Sequence, residues 1–567
     1  MKKNNVNWKA VLIFELIIMF VCIVFFIKYK KTQWDILMEE DSINHEVILW
    51  HDKDVEAAIK RQMDWPLDDE VTVGQAKTAI SWLNPLTLEG ENIENLEDLK
   101  YFQNLKQLVL KDTSVTDLTP LLSVELVDLE IDGGRITDIG MIAKLKSLLF
   151  LSLNNISIDS LQPLAEMDHL CTLTLKGLPI EDISALSSLK NIGSLTLQQL
   201  PVTDVSALIY LRGLRWLTMI DVPIESLPPL SNSVEWVKLE RTNIADISGI
   251  PDSVYTLYLI DNPILDLRGL NSLEQLVNLY IEGTDLSGIK ALISSHTLSA
   301  LSIVNCNVSD ISIVGVCKKL KTLDLGQNEL ENMDGIERFD SIERLFLRNN
   351  KIQKIDSVEN LPYLQWLDLT ENPVQDLSPL SNLYLLGRLE LSGINLEDIK
   401  LDELLNAPDL EVLYLSDCGL KDIKFMEEFD YIHGLDVSNN QISDINEIKH
   451  MYTATNEVIL NLSYNPIKDI TPLESCEKLS ELNLSGIDLK NVKGFEVLQN
   501  LHITTLTAEN SNLDDLSLIK GLAEVEAVKL NVSENHITDE HMKQIGAIKV
   551  GFGRYHYGRY TNITIQK

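Results

Sequence analysis

Cysteine is scarce in this 567-residue sequence, which contains only six. No two cysteines have the C-x-x-C spacing that a structural zinc site or a redox motif would need. We therefore expect packed thiols, and we predict neither a metal site nor a cofactor.

Basic residues are also in deficit, with 48 Lys and Arg against 85 Asp and Glu and a formal net charge of -37. A field of this sign repels nucleic-acid phosphates, so we do not expect DNA or RNA as a partner. The acidic residues are spread along the chain, which is typical of a solvated, self-repelling surface.

Recognisable catalytic motifs are missing as well. The ten histidines are scattered, and the sequence shows no phosphate-binding loop, no Ser-His-Asp set and no H-E-x-x-H motif. Because catalysis needs convergent nucleophile, base and charge-stabilising groups, we predict that the protein is not an enzyme.

One long apolar run is present, at residues 10–27, where Glu15 is the only charged residue. About 18 such residues are close to the minimum that spans a bilayer core. No small-x-small cleavage site follows, which predicts an uncleaved single-pass signal anchor in the lipid bilayer behind a short tail at 1–9. Three lysines precede the run (Lys2, Lys3, Lys9) and three follow it (Lys28, Lys30, Lys31), so the positive-inside rule leaves the orientation open.

Leucine recurs with a period of about 22 residues from Leu83 almost to the end of the chain. Each unit opens with L-x-x-L-x-L, and about 21 units fill residues 83–548. A return segment of the kind Val374-Gln-Asp-Leu-Ser-Pro-Leu380 closes each unit. This period predicts a solenoid in which every unit packs on its neighbours.

Two polar columns run through the units. An Asp precedes the apolar residue of the return segment and is expected to cap a short helical turn, rather than to bind metal, at Asp117, Asp138, Asp182, Asp204, Asp246, Asp266, Asp310, Asp376, Asp398, Asp422, Asp444 and Asp469. An Asn between strand and return segment is expected to bond backbone groups of adjoining coils, as a ladder, at Asn262, Asn328, Asn350, Asn372, Asn440, Asn465 and Asn535. Between Ile156 and Val222 the ladder position is apolar.

Units of the form L-x-x-L-x-L-x-x-N-x-I-x-D-I-x-P-L resemble the bacterial internalin-type, or SDS22-like, leucine-rich repeat family over about residues 83–540. The resemblance implies an α/β solenoid, a leucine-rich repeat horseshoe with a parallel β-sheet on its concave face. Residues 55–63 and 71–82 look like the helical cap that precedes such arrays, within a juxtamembrane and cap segment at 28–82. Residues 549–567 are predicted to be a C-terminal capping tail, either a strand that closes the last coil or a small binding tail.

The candidate binding residues lie at the outward x positions of the strands, since alternation turns the leucines inward. Large residues of the types that dominate binding hot spots are concentrated at Trp216, Trp236, Tyr258, Tyr280, Arg344, Phe346, Arg348, Trp366, Arg388 and Tyr414. Aromatic residues are favoured on any strand, so the set can also be ordinary strand surface. We predict a protein or peptide partner across these coils, with the arginines pairing its carboxylates.

The resemblance implies protein recognition, and the anchor favours a monomeric receptor or scaffold at a bacterial cell surface, with the solenoid outside. The alternative is a cytoplasm-facing, membrane-tethered regulatory subunit that docks on an enzyme such as a phosphatase, as SDS22-type repeats do.

Overall fold

The computed structural model describes residues 46–79, 85–288, 293–397, 399, 401, 409–452, 458–476, 479–501, 503–513, 528–537, 548–551, 554–557 and 563–566. The predicted transmembrane segment at 10–27 lies outside these residues. Within them, no helix has both the length and the apolar character needed to cross a bilayer. The chain divides into two compact units, Met1–Leu129 with Gly133–Ile136, and Glu130–Asp132 with Thr137–Lys567.

The first unit contains helices α1 (Lys53–Gln62) and α2 (Val73–Ala79), followed by the parallel strands β1 (Leu86–Glu89) and β2 (Gln107–Lys111). Its 3-10 helices are Glu97–Tyr101 and Thr119–Ser123. Asp52 begins α1 by accepting the N–H groups of Asp54 and Val55, which satisfies donors that a helix start leaves free. Helices therefore occur at both predicted positions, and their role as a cap stays a prediction.

A buried carboxylate attaches α1 to the first coil. Asp98 is fully buried and accepts the backbone N–H of His51 at 2.7 Å and of Asp52 at 3.2 Å, and its other oxygen lies 2.7 Å from His51 Nδ1. Asp52 in turn accepts the N–H groups of Glu94 and Asn95 at 2.8 and 3.1 Å. These bonds fix the start of α1 relative to the 3-10 helix Glu97–Tyr101, which contains Asp98.

Strand β3 (Asp128–Asp132) spans the boundary between the units. In the second unit, neighbouring strands pair in parallel from β4–β5 through β20–β21. Strands β4 to β21 are, in order, Phe150–Asn154, Thr172–Lys176, Ser194–Gln198, Trp216–Ile220, Trp236–Glu240, Thr256–Ile260, Asn278–Glu282, Ala300–Val304, Thr322–Asp324, Arg344–Phe346, Trp366–Asp368, Arg388–Glu390, Val412–Tyr414, Gly434–Asp436, Val458–Asn461, Leu479–Asn483, Thr505–Thr507 and Val528–Asn531. Each of the 21 predicted units thus contains one strand, β1 to β21, and the parallel solenoid is confirmed.

The C-terminal strands are β22 (Ile548–Gly551), β23 (Arg554–Tyr557) and β24 (Ile563–Gln566). They form an antiparallel meander, and β24 also pairs in parallel with β21. A strand that pairs with the last coil is therefore present within the predicted tail at 549–567.

Alternation along each strand separates the core from the outer face. In β12, Leu323 is fully buried, whereas Thr322 and Asp324 on either side are only half-buried. Leu323 lies in register with Leu301 and Leu345 of the adjacent strands. The leucine columns therefore form one continuous apolar interior along the coils of the second unit.

Short 3-10 helices form most return segments of the second unit, as the Asp column predicted. They are Ile142–Lys144, Gln162–Glu166, Ser184–Ser188, Ser206–Tyr210, Arg268–Ser272, Ile311–Ile313, Ile336–Arg338, Asp356–Asn360, Ser378–Asn382, Lys424–Glu428, Asn446–His450, Thr471–Ser475 and Phe495–Gln499. Between β7 and β9, all of which is described, the units are shorter and a bridge from Ser226 to Asp246 replaces the 3-10 turn.

The aspartates of this column accept the backbone N–H two residues later, at 2.7 to 3.1 Å for Asp117, Asp138, Asp182, Asp204, Asp246, Asp310, Asp376, Asp422, Asp444 and Asp469. The predicted bond to a backbone N–H of the return segment is confirmed for these. Asp310 is itself the N-cap of the 3-10 helix Ile311–Ile313, Asp246 lies in a bridge rather than before a 3-10 helix, and Asp398 lies outside the described residues. Hydrogen bonds to Thr119 and to Ser184 lower the pKa of Asp117 and of Asp182 below the ordinary value.

Acid should weaken the solenoid partly through Asp469. Bonds from Lys493 and Thr471 lower the pKa of Asp469 from 3.8 to about 2. A lowered pKa in the folded state gives stability that is complete above pH 3.8 and is lost as the pH falls towards 2. In urea unfolding, Asp469→Asn should be less stable than the parent at pH 5, and the difference should disappear near pH 2. A stability difference between Asp469→Asn and the parent that does not change with pH would contradict the lowered pKa of Asp469.

The asparagine ladder is present as predicted. Asn350 donates from Nδ2 to the carbonyls of Leu325 and Leu347, both at 2.9 Å, and accepts the Leu330 N–H at 3.0 Å. The other members, Asn262, Asn328, Asn372, Asn440, Asn465 and Asn535, bond backbone groups of their own and preceding coils in the same way. At Ile156, Leu178, Leu200 and Val222 the ladder position is a buried apolar side chain instead.

The cysteine prediction holds for four of the thiols and fails for one. Cys306 and Cys418 occupy the ladder position, are buried, and lie within 3.1 to 3.7 Å of backbone carbonyls, and Cys317 and Cys476 are also buried. Burial raises the pKa of Cys306 to about 11 and of Cys418 to about 12, which disfavours the reactive thiolate form. Cys171 is exposed, because it lies just before β5 and outside the inward columns.

Candidate functional site

Register divides the outward side chains of the second unit into two columns. Trp216, Trp236, Thr256 and Asn278 follow one another in the first outward column. Thr218, Lys238, Tyr258 and Tyr280 follow one another in the second outward column. The four aromatic residues predicted here therefore lie in two adjacent columns rather than one.

The first aromatic patch, Trp216, Trp236, Tyr258 and Tyr280, covers strands β7 to β10. The Trp236 and Tyr258 rings are 5.4 Å apart and tilted, and Tyr258 stacks on Tyr280 at 4.3 Å and 5°. Burial against these rings and the neighbouring Tyr280 raise the pKa of Tyr258 to about 12, so its hydroxyl stays protonated and can donate. Trp216 packs instead against the Arg215 guanidinium, 5.3 Å from the ring.

A buried amide oxygen lies within this patch. Asn278, in the first outward column beside Thr256, donates from Nδ2 to Thr256 Oγ1 at 2.9 Å. Among the described residues, Asn278 Oδ1 is buried and has no hydrogen-bond partner. A buried acceptor without a partner costs free energy, so a donor from a bound molecule would be stabilised here.

Strands β11 and β12 separate the first patch from the second. Their outward residues are Ala300 and Ser302 on β11 and Thr322 and Asp324 on β12, all small or polar. Because adjacent strands lie about 4.8 Å apart, the two patches are separated by roughly 14 Å from β10 to β13.

The second aromatic patch, Phe346, Trp366, Arg388 and Tyr414, covers β13 to β16. Phe346 meets Trp366 edge-on at 5.0 Å. The Arg388 guanidinium lies 4.1 Å from the Trp366 ring and 4.8 Å from the Tyr414 ring, between the two aromatics. Glu390 accepts hydrogen bonds from Trp366 Nε1 at 3.0 Å and from Arg388 Nε at 2.9 Å, which holds both side chains in place.

Two of the three predicted arginines already have acidic partners within this chain, and their pairing with a partner's carboxylates stays a prediction. Arg388 is bonded within the second patch, and Arg348 lies 3.4 Å from Asp324 and 3.9 Å from Asp368. Asp324 has a raised pKa because burial disfavours its charge, so Arg348 compensates a carboxylate that is costly to bury. Arg344 is exposed and forms no ion pair with the described residues.

A further row of exposed aromatic residues escaped the sequence analysis. Tyr363, Tyr384, Tyr431 and Tyr452 are 57, 63, 50 and 38% exposed, and the Tyr431 and Tyr452 rings are 5.7 Å apart. They precede strands β14, β15, β17 and β18 and lie at the edge of the coils. For three of them the available signal was a Tyr one or two residues before the first apolar position of a unit, as in Tyr363-Leu364.

No protein-family model matches the chain, and no curated protein matches it in sequence. The known proteins that resemble it are therefore solved structures with a similar fold. An internalin from Listeria monocytogenes is 26% identical, with 61% of this chain and 96% of that one covered and a TM-score of 0.46. The mouse RP105/MD-1 complex is 18% identical, with 76% and 86% covered and a TM-score of 0.54. A TLR13 complex with ssRNA13 is 19% identical, with 82% and 64% covered and a TM-score of 0.41.

The likeness to the mouse complex concerns the fold, and it agrees with the strand, ladder and return-segment pattern described above. This chain is therefore a leucine-rich repeat protein.

Proposed function

We propose that this protein is a membrane-anchored binding scaffold that recognises a protein or peptide partner through the outer face of its parallel sheet. The observation that carries the proposal is the pair of aromatic patches, one on β7 to β10 and one on β13 to β16. Outward columns elsewhere on the sheet hold mainly small and polar residues, such as Thr174, Thr196 and Ser302.

The internal bonding of the patches supports recognition by a preorganised surface. Stacking of Tyr258 on Tyr280, and the fixing of Trp366 by Glu390, hold these large side chains before a partner arrives. Because little side-chain freedom remains to be lost, binding would cost less conformational entropy. The half-buried rings still offer apolar faces and polar edges, which is the chemistry of interface hot spots.

Two expectations from the sequence belong to the same proposal. The protein acts by binding and not by catalysis, and its net charge of -37 disfavours nucleic acid as the ligand. Aromatic side chains can also stack on bases. A binding assay with single-stranded RNA is therefore the direct test of this second expectation.

Membrane anchoring by residues 10–27 is proposed from their apolar sequence. With the solenoid outside the cell, the protein would be a cell-surface receptor or scaffold, whereas the opposite orientation would make it a tethered regulatory subunit for an enzyme. Protease protection in intact cells separates these cases. Digestion of the solenoid by external protease supports the receptor, and protection supports the regulatory subunit.

Trp236→Ala and Trp366→Ala should each weaken binding of a purified partner protein, once one is identified, by about 2 kcal/mol. The reason is the loss of a large preordered contact area from one patch in each variant. Isothermal titration with the full chain measures the effect. Tyr210→Ala is the matched control, since Tyr210 is 61% exposed but lies in a 3-10 return segment.

Trp366→Ala also removes the bond to Glu390, so its melting temperature has to be measured beside that of Trp236→Ala. If both tryptophan variants bind the partner as the parent does, the patches are ordinary strand surface. The row of edge tyrosines that includes Tyr363 and Tyr431 would then be tested next.

A further inference from the structure

A cleft of about 220 Å³ opens on the outer face of β16 to β20. Its floor is at Gly434 on β17, which lies in register between Val412 on β16 and Ile459 on β18. Tyr414, a member of the second aromatic patch, lines one end of the cleft. Ile459 lines the other side and is 40% exposed, which is unusual for an isoleucine in the strands of this solenoid.

Gly434 is buried, and the Val412 side chain lies against the side of the backbone from which a Cβ would project. A Cβ placed on Gly434 would lie 3.1 Å from both methyl carbons of Val412, closer than ordinary van der Waals contact. A larger side chain at residue 434 would have to displace Val412 or project into the cleft on the side of Ile459. The backbone of Gly434 is not in the left-handed conformation that favours glycine. A side chain at this position is therefore restricted by the space available and not by the backbone conformation.

The polar groups around the cleft are mainly acceptors. Asp436 and Glu481 contribute carboxylates, and Asn461, Asn483, Thr505 and Thr507 contribute further polar groups. No Lys, Arg or His is among the described residues that line the cleft. Asp436 is held by Ser438 and by Asn461 Nδ2, the latter at 2.8 Å, whereas Glu481 is exposed and forms no ion pair with the described residues.

Size and charge together restrict the ligand. Pockets for small molecules usually enclose about 300 to 1,000 Å³. A cleft of 220 Å³ is below this range, and is suited to one side chain. Its apolar walls favour an aliphatic group, and its two carboxylates favour a neighbouring cation.

We infer that the Gly434 cleft receives one aliphatic side chain of the partner, flanked by lysine or arginine residues whose charges meet Glu481 and Asp436. This inference rests on the proposed function and specifies it, since Tyr414 joins the cleft to the second patch. The sequence predicted that arginines of this protein pair with carboxylates of the partner. At the cleft the charges are reversed, because the partner's contact segment is basic and this protein supplies the carboxylates.

Three fluorescein-labelled pentapeptides test the inference by fluorescence anisotropy with the full chain in mild detergent. Their central residues are Lys-Leu-Lys, Lys-Gly-Lys and Glu-Leu-Glu, each between capped glycines. Lys-Leu-Lys should bind about tenfold more tightly than either of the other two, since only it offers both the apolar group and the cations. Equal binding of Lys-Leu-Lys and Lys-Gly-Lys would overturn the apolar part, and equal binding of Lys-Leu-Lys and Glu-Leu-Glu the cationic part.

Two variants locate the site. Gly434→Val should weaken Lys-Leu-Lys binding about tenfold by narrowing the cleft, whereas Ser302→Val, which adds the same side chain to β11 between the patches, should have no effect. Because a Cβ at residue 434 lies close to Val412, the melting temperature of Gly434→Val is measured beside that of the parent. Glu481→Gln, an exposed change that leaves the fold intact, should weaken it about threefold. If neither Gly434→Val nor Glu481→Gln alters binding, the inference is wrong.

The outcomes also separate this inference from the proposed function. If the peptides fail to bind while Trp236→Ala and Trp366→Ala still weaken binding of a partner protein, only the cleft inference falls. If Lys-Leu-Lys binds through Gly434 while the tryptophan variants bind the partner normally, the proposed role of the patches falls instead.

Discussion

Replacing Leu323 with alanine should lower the free energy of unfolding by about 2 to 5 kcal/mol. Leu323 is fully buried on β12 and lies in the leucine column between Leu301 and Leu345. Truncation removes buried apolar surface and leaves a cavity, because the adjacent coils are fixed by parallel pairing and cannot close the space.

Urea unfolding followed by circular dichroism measures this loss, and hydrogen exchange of the β11 to β13 amides shows whether it is local. Local measurement matters because neighbouring coils contribute most of the stability of each unit in a solenoid. Ser302→Ala is the control, since Ser302 is half-buried on the outer face of the adjacent strand. A change at Leu323 no larger than the change at Ser302 would mean that the strand register is wrong.

Replacing Asn350 with alanine should cost about 3 kcal/mol. Asn350 is 7% exposed and its amide bonds the Leu330 N–H and the carbonyls of Leu325 and Leu347. Removing the amide leaves these buried backbone groups without partners, and such groups are costly to bury.

Asn350→Leu distinguishes hydrogen bonding from volume, because the chain itself has Leu178 and Leu200 at the equivalent position. If the bonds dominate, both Asn350 variants lose similar stability in urea unfolding. Gln353→Ala, an exposed change in the same coil, should alter it by less than about 0.5 kcal/mol. Parent-like stability of Asn350→Leu would show that the position requires volume and not hydrogen bonds.

The repeat pattern was sufficient to predict the fold of the solenoid. A period of about 22 residues with L-x-x-L-x-L at its start predicted one strand in each unit, and strands β1 to β21 occur there. The reason is that each inward leucine is buried against the equivalent residues of the adjacent coils. The spacing of the leucines in the sequence therefore also decides which residues are in contact in the structure. The Asp caps and the Asn ladder followed from the same logic, since each serves backbone groups at a fixed sequence distance.

The positions of the outward side chains were predictable, but their contacts were not. Alternation placed Trp366 and Arg388 on the outer face, and they do lie there. The sequence could not show that Arg388 lies between Trp366 and Tyr414, or that Arg348 is paired with Asp324, because rotamers on an exposed strand depend on neighbours from other coils. The Gly434 cleft was missed for the same reason.

The sequence by itself determined the number of coils, the inward columns and the outward positions of the strands, because these depend on a period that every unit repeats. The tertiary structure decided which of the three outward arginines contact carboxylates of this chain, how the aromatic residues group into two patches, and where a cleft opens on the sheet. Those properties arise between side chains 20 or more residues apart, whose contacts depend on how adjacent coils place them in register.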